Sequence, residues 1–301
     1  MKNMNKYENC LLCPRKCGIN RRTGQTGVCG VSSEIKVARA ALHYWEEPCI
    51  SGKRGSGAVF FSGCSLHCVF CQNREISDGK EGKVISKERL SDIFMELAGK
   101  GANNINLVTP GQYIPDIVWA VNDAKSRGMK LPIIYNTSGY ENVTELKLLE
   151  GIVDVYLPDF KYMDSTLSAM YSRAKDYPSV AKQALSEMVR QQPDVVIDDS
   201  TGLIQKGVIV RQLLLPGHVN DAKDVLKYLY DTYHDHVYIS MMSQFTPIAL
   251  KDYPEINRTV TRREYERLVD YALKIGITNA FIQEGDVAKD SFIPAFDCEG
   301  V

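Results

Sequence analysis

Apolar and polar positions follow two different periods along most of the chain. From position 58 onward, short apolar runs typical of buried strands are separated by longer stretches in which apolar residues recur every three to four positions. This order predicts an α/β fold, a parallel sheet or barrel with helices outside and about six or seven strand–helix units. The predicted strands are 58–61, 104–108, 133–135, 153–157, 208–215, 237–240 and 279–282. The predicted helices are 87–100, 115–127, 143–150, 179–191, 222–233 and 262–275.

The first 57 residues differ from the rest of the chain. They are rich in glycine, cysteine and basic residues and show little periodicity. We therefore expect residues 1–57 to form a small cysteine-rich, metal-binding appendage and residues 58–301 to form the barrel. Residues 194–206 contain Asp198, Asp199 and Gly202, which predicts a turn or hairpin before the strand at 208.

The amino-acid composition does not indicate a particular class of binding partner. Lys and Arg total 36 against 37 for Asp and Glu, a formal net charge of -1, so no global field favours nucleic acid or an anionic membrane. The amino terminus lacks the apolar run and cleavage site of a signal peptide, and no stretch of about 18 apolar residues could cross a bilayer. We expect a cytoplasmic protein.

The cysteines are more informative because seven of the nine occupy two short clusters. Clustered thiols in a reducing compartment indicate metal ligands rather than a disulfide framework. One cluster lies at 10, 13, 17 and 29 and the other at 64, 68 and 71, with Cys49 and Cys298 apart from both.

Cys64, Cys68 and Cys71 follow a predicted strand directly, in the spacing C-x3-C-x2-C. Three thiolates on one loop can hold three irons of a [4Fe–4S] cubane, whereas a closed structural site normally has four ligands. The fourth iron can then accept the amino and carboxylate groups of S-adenosylmethionine. The alternative is a zinc site completed by a remote cysteine or by His67. The position after a barrel strand, where active-site loops lie, and the aromatic Phe70 favour the cluster.

The sequence resembles a known family over residues 10 to 301. The motifs are CLLCPRKCGINRRTGQTGVCG, EEPCISGKRGSGAVFFSGCSLHCVFCQN, NINLVTPGQY, YNTSGY, VYLPDFKYMD, VRQLLLPGH and IPAFDCEGV. They are similar to those of radical SAM proteins, in the branch that resembles pyruvate formate-lyase activating enzymes and has a cysteine-rich N-terminus. The resemblance implies a partial (β/α)6 barrel. It also implies reductive cleavage of S-adenosylmethionine to methionine and a 5′-deoxyadenosyl radical that abstracts hydrogen.

The same resemblance implies that polar residues at later strand ends hold the cofactor. Two departures from the family pattern stand out: Asn136 replaces a common aspartate, and no glutamate accompanies Thr109 where many members have a Gly-Gly-Glu element. Asp159 and Lys161 fall on the same side of an extended segment. The candidate cofactor-binding residues are Thr109, Asn136, Ser138, Asp159, Lys161 and Arg211.

The N-terminal set Cys10, Cys13, Cys17 and Cys29 supplies four thiolates, enough for a closed site. Structural zinc and an auxiliary [4Fe–4S] cluster both fit these residue types. Cys49 and Cys298 are expected to be buried free thiols. The adjacent Glu46 and Glu47 are candidate substrate contacts.

The predicted function is therefore an iron–sulfur oxidoreductase that cleaves S-adenosylmethionine. The resemblance implies a glycyl radical enzyme as the protein substrate and a flavodoxin- or ferredoxin-type electron donor. The balanced charge and the lack of a long apolar stretch predict no nucleic-acid or membrane partner. Radical modification of another protein or of a small molecule is an alternative within the same chemistry. A non-catalytic, zinc-stapled binding protein is the alternative from another class.

Overall fold

The computed structural model describes residues 4–248, 250–283 and 294–301. The strands are β1 (Ile35–His43), β2 (Ser56–Phe61), β3 (Lys83–Ile85), β4 (Ile105–Val108), β5 (Ile133–Thr137), β6 (Val155–Pro158), β7 (Val196–Ile197), β8 (Ile204–Leu213), β9 (Tyr238–Met242) and β10 (Ala280–Ile282). The helices are α1 (Pro48–Ser51), α2 (Arg74–Ser77), α3 (Lys87–Gly99), α4 (Ile114–Ser126), α5 (Val143–Leu146), α6 (Ser165–Ser172), α7 (Tyr177–Gln191), α8 (Val219–Tyr233) and α9 (Arg262–Ile275).

A parallel sheet forms the centre of the fold. Its strands lie in the order β2, β4, β5, β6, β8, β9, β10, and each pairs in parallel with the next. Helices α3, α4, α5, α7, α8 and α9 each connect one of these strands to the next. In the described part of the chain, the end strands β10 and β3 are not neighbours, so the barrel is open. The α/β class and the partial (β/α)6 barrel are confirmed.

The alternation of side chains along the strands separates the inside of the barrel from its helical cover. Ile134 packs in an inner apolar cluster, whereas its neighbour Tyr135 packs with the helices. Asn136 then points to the inside again, because successive strand residues face opposite sides. The strand ends therefore place polar groups inside the barrel.

The structure differs from the predicted elements mainly before position 58. Strand β1 was not predicted, yet it pairs antiparallel with β2 and with β3. Beyond β3, the C-terminal tail continues this pairing, since the Cys298 amide donates to the Ala38 carbonyl at 3.0 Å and the Ala40 amide to the Glu299 carbonyl at 2.8 Å. Strand β1 is thus covered on its outer edge, and its burial does not alternate.

Smaller differences lie elsewhere. The predicted helix 143–150 is α5 followed by a separate 3-10 turn, Lys147–Leu149. Helix α6 was not predicted. Strand β7 pairs antiparallel with β8, which confirms the predicted hairpin before the strand at 208.

Residues 46–51, here called the floor segment, close the amino edge of the barrel. Cys49 and Ile50 are buried with inner side chains of β5, β6 and β8. Asn103 and Asn104, just before β4, donate to the carbonyls of Ser51 at 2.7 Å and Ile50 at 2.8 Å. The functional cavity therefore ends on this segment.

Candidate iron–sulfur and cofactor site

The three-cysteine loop follows β2 and is held by its backbone. The Val69 amide donates to the Tyr171 carbonyl at 2.9 Å, and the Cys71 amide to the Cys68 carbonyl at 3.0 Å. Gly63 begins the loop with a φ of 90°. A Cβ there would lie 2.6 Å from the Cys29 carbonyl, so a residue without a side chain is needed.

Cys64, Cys68 and Cys71 all line a cavity of about 550 Å³ inside the barrel. Within the described residues, no other cysteine lines it. Burial raises the pKa of the Cys71 thiol to about 12, and burial likewise raises the pKa of Cys68, against the opposing effect of Lys161. Three sulfur donors on one open cavity fit a cubane with one free iron position, and binding would release the thiol protons.

The Cys68 sulfur has a polar neighbour that sequence reasoning missed. Ser172, at the end of α6, donates its hydroxyl to Cys68 Sγ at 2.9 Å and is also within 2.8 Å of the Tyr162 hydroxyl. Hydrogen bonds to cluster sulfurs influence the reduction potential. No sequence signal marks Ser172, because it is brought to the loop by an unpredicted helix.

All six predicted cofactor-binding residues line the same cavity. They come from the carboxyl ends of four neighbouring parallel strands, where ligand sites of such sheets usually lie. These residues are Thr109, Asn136, Ser138, Asp159, Lys161 and Arg211. The structure thus brings them together with the cysteine loop.

Arg211 joins the charged groups of the cavity. Its Nη1 lies 2.9 Å from Glu46 Oε2, its Nε lies 3.3 Å from Asp159 Oδ1, and its Nη2 donates to the Asn136 side chain. Lys161 Nζ lies 2.6 Å from Asp159 Oδ2. Although burial opposes ionisation, the two cations hold the pKa of Asp159 below its ordinary value. Asp159 therefore stays ionised beside both cations.

Thr109 departs from ordinary backbone geometry, with a φ of 57°. Its amide donates to the Asn136 carbonyl at 2.9 Å, and its carbonyl accepts from the Gln112 side chain at 2.9 Å. The same Gln112 amide reaches the carbonyls of Ser62 and Gly63, each at 3.0 Å. Gln112, which was not predicted, thus connects the end of β4 with the start of the cysteine loop.

The floor segment contributes acidic groups to the cavity. Glu46 and Glu47 both line it, together with the unpredicted His43 and Ser240. Asn106 donates to Glu46 Oε1 at 3.0 Å. Burial raises the pKa of Glu47 above its ordinary value, against the influence of Arg211. Burial and nearby arginines lower the pKa of His43.

The four N-terminal cysteines lie close to one another. Burial raises the pKa of Cys13 to about 12, and Cys29 and Cys10 add to this rise. Cys17 and Cys10 contribute to the raised pKa of Cys29, which is due first to burial. No three His, Cys, Asp or Glu side chains of residues 4–248, 250–283 and 294–301 are grouped so as to enclose a single metal ion.

This N-terminal region packs directly on the three-cysteine loop. Arg15 donates to the carbonyls of Ser65 at 2.8 Å and Arg173 at 2.6 Å. His67 Nε2 lies 2.6 Å from the Val28 carbonyl, so the ring has a partner outside the cysteine set. Cys13, Cys29 and Cys64 border one small cavity of about 20 Å³.

Comparisons with known proteins agree with an iron–sulfur site. A family model described as a 4Fe-4S single cluster domain matches residues 51–173. This segment contains Cys64, Cys68 and Cys71. An uncharacterised protein of Methanocaldococcus jannaschii is 28% identical over 280 residues, which cover 91% of this chain and 77% of the relative.

Solved structures that align with part of this chain were also found. The crystal structure of Streptococcus suis SuiB bound to S-adenosylmethionine matches with a TM-score of 0.49 and 12% identity, over 73% of this chain and 48% of SuiB. HydG, a maturase of the [FeFe]-hydrogenase, matches with a TM-score of 0.49 and 16% identity, over 76% of this chain and 51% of HydG. The chain spans about half the length of these two proteins. In the part of the chain that the structure describes, no helix is both long and apolar enough to cross a membrane.

Proposed function

We propose that this protein is a radical SAM enzyme that reductively cleaves S-adenosylmethionine and uses the product to abstract a hydrogen atom. One observation carries the proposal: three thiols without a fourth open onto the same cavity as Asp159, Lys161 and Arg211, in the part of the chain that the structure describes. A structural zinc site needs four ligands and no adjoining cavity of this size.

Each group in the cavity has a role in this proposal. Cys64, Cys68 and Cys71 hold three irons of a [4Fe–4S] cluster, and the bound cluster supplies the electron that breaks a C–S bond of S-adenosylmethionine. Lys161 and Asp159 meet the polar end of the cofactor as a fixed ion pair, 2.6 Å apart. The polar ends of β4, β5 and β8 contact the remainder through Thr109, Asn136, Ser138 and Arg211.

The finer assignment follows the sequence resemblance. The proposed substrate is a glycyl radical enzyme, the electron donor a flavodoxin- or ferredoxin-type protein, and the location cytoplasmic. Radical modification of another protein or a small molecule uses the same cavity equally well, because fold alone does not fix the substrate.

Cleavage of S-adenosylmethionine tests the ligand assignment. Protein purified and reconstituted without oxygen should be brown and, with dithionite, should form 5′-deoxyadenosine. Cys68→Ser should lose this activity because a serine hydroxyl is a poor iron ligand. The matched control is Cys298→Ser, a partly buried cysteine of the tail that does not line the cavity; it should keep the activity.

Two results would contradict the proposal. Equal 5′-deoxyadenosine formation by wild type and Cys68→Ser would refute the ligand assignment. A colourless protein that contains zinc and ignores S-adenosylmethionine after reconstitution would support the non-catalytic zinc protein instead.

We also propose a second metal centre on Cys10, Cys13, Cys17 and Cys29, either zinc or an auxiliary cluster. Cys29 and Cys10 raise the pKa of Cys13, and Cys10 and Cys17 raise that of Cys29, which supports the proposal because such effects require proximity. Metal analysis should show that Cys17→Ser contains less metal than wild type. The missing metal should be zinc, or about four irons if the centre is an auxiliary cluster. Identical metal content in both proteins would contradict a centre at these residues.

A further inference from the structure

We infer that the floor of the cavity binds a cationic nitrogen group of the substrate, an ammonium or guanidinium, through the Glu47 carboxyl. The inference rests on the proposed function and names the substrate class of the same cavity. Glu47 lines the cavity from the floor segment, whereas the cysteine loop lines it from the carboxyl edge of the sheet. The two lie at different ends of the barrel interior.

The first support is an unpartnered buried atom. Glu47 is only 8% exposed, and its Oε2 has no hydrogen-bond partner among the described residues. A buried polar atom without a partner is costly and rare, so it calls for an explanation. A ligand that donates a hydrogen bond provides one. The hydroxyl of Ser240, another cavity residue, lies beside the same carboxyl and favours its ionised form.

The second support is the count of charges around the cavity. Apart from the cysteines, its acidic residues in the described chain are Glu46, Glu47 and Asp159, against the cations Lys161 and Arg211. Arg211 pairs with Glu46 at 2.9 Å and with Asp159 at 3.3 Å, and Lys161 pairs with Asp159 at 2.6 Å. One carboxyl therefore lacks a cation of its own.

The direction of the pKa shift of Glu47 agrees with the lack of a paired cation among the described residues. Burial raises its pKa, Glu46 adds to the rise, and Arg211 only partly opposes it. His43, which also lines the cavity, has a pKa lowered by burial and nearby arginines, which disfavours its cationic form. An ammonium or guanidinium would favour the ionised carboxylate and form a charge-assisted hydrogen bond.

Two cationic and two neutral small probes test the inference. n-Butylammonium, n-butylguanidinium, n-butanol and N-methylacetamide are titrated calorimetrically into the anaerobically reconstituted protein, with and without S-adenosylmethionine. We expect saturable binding of a cation at least roughly tenfold tighter than that of the neutral probes, since hydrogen bonds to charged groups are the stronger ones.

The near-isosteric variant Glu47→Gln should weaken cation binding roughly tenfold or more. Ser240→Ala, which retains the carboxyl, should still bind the cation. Glu266→Gln, on the exposed face of α9, should bind as wild type does.

Equal binding of n-butanol and n-butylammonium, or unchanged cation binding by Glu47→Gln, would overturn the inference. Preference for N-methylacetamide would also overturn it and would indicate a peptide group at the floor. Wild-type protein that forms 5′-deoxyadenosine but prefers no cation refutes this inference alone. Wild-type protein that forms no 5′-deoxyadenosine refutes the proposed function.

Discussion

The two ends of the cavity are built in different ways. At the carboxyl edge, short motifs after successive strands supply the cysteines, Asp159 and Lys161. At the amino edge, one continuous piece of chain, the floor segment, enters the barrel and is held by amide side chains before β4. The grouping of residues at the carboxyl edge follows from the strand order, because the carboxyl ends of parallel strands lie at the same edge of the sheet. The amino edge depends on long-range packing that no local motif records.

Arg211 spans this difference, because it pairs with Asp159 from the carboxyl edge and with Glu46 from the floor. Arg211→Met removes the cation that pairs with Glu46 and leaves Asp159 paired with Lys161. We expect a loss of about 3–5 kcal/mol in the free energy of unfolding, as for other broken buried pairs. Urea unfolding of the metal-free protein at pH 7 measures it.

The double variant Glu46→Gln/Arg211→Met is the matched control, since it removes the orphaned charge at the floor together with the cation. It should recover part of the lost stability. If Arg211→Met is as stable as wild type, the two ends of the cavity are not coupled through this side chain.

Loss of the hydrogen bonds that hold the floor segment should lower the free energy of unfolding by less than loss of Arg211 does. Asn104→Ala removes two hydrogen bonds, one to the Ile50 carbonyl at 2.8 Å and one from the Ser56 hydroxyl at 2.6 Å. Because these groups are buried, we expect a loss of about 1–3 kcal/mol. Chemical denaturation of both proteins measures this difference.

Asn122→Ala is a suitable control for that variant, because the Asn122 amide is exposed and, among the described residues, bonds within α4 to the Val118 carbonyl. It should change the free energy of unfolding by less than about 0.5 kcal/mol. Equal losses from the two alanine variants would show that the floor segment is not held by the buried amide.

The same contrast explains how much could be predicted from the sequence. The parallel strands and their helices were predicted because each is long enough to show its period, and the strand-end motifs then placed Asn136 and Asp159 in one cavity. Strand β1 was not predicted, because its buried and exposed residues do not alternate along the strand. Ser172 and Ser240 were missed for a different reason: a lone serine has no pattern, and only tertiary packing brings it to Cys68 or Glu47.

The smallest expected effect concerns the loop that follows Lys161 at the carboxyl edge. Asp221 accepts from the amides of Met163 at 3.0 Å and Asp164 at 2.7 Å. Burial nevertheless raises the pKa of Asp221 to about 6. The folded protein thus holds this proton more tightly than the unfolded chain, so the contribution of Asp221 to stability falls as pH rises from about 4 to about 7. Asp221→Asn should lack that fall.

We expect this difference in slope to amount to about 1 kcal/mol across the interval, because solvent screens a partly exposed carboxyl. Urea unfolding at half-unit steps of pH measures it. Asp231→Asn is the control, because Asp231 is an exposed residue of the same helix and its carboxylate pairs with Lys227. This variant should leave the slope of stability against pH as in wild type. Parallel curves for wild type and Asp221→Asn would mean that Asp221 titrates alike in both states. The loop after Lys161 would then be held no differently by a charged than by a neutral side chain at position 221.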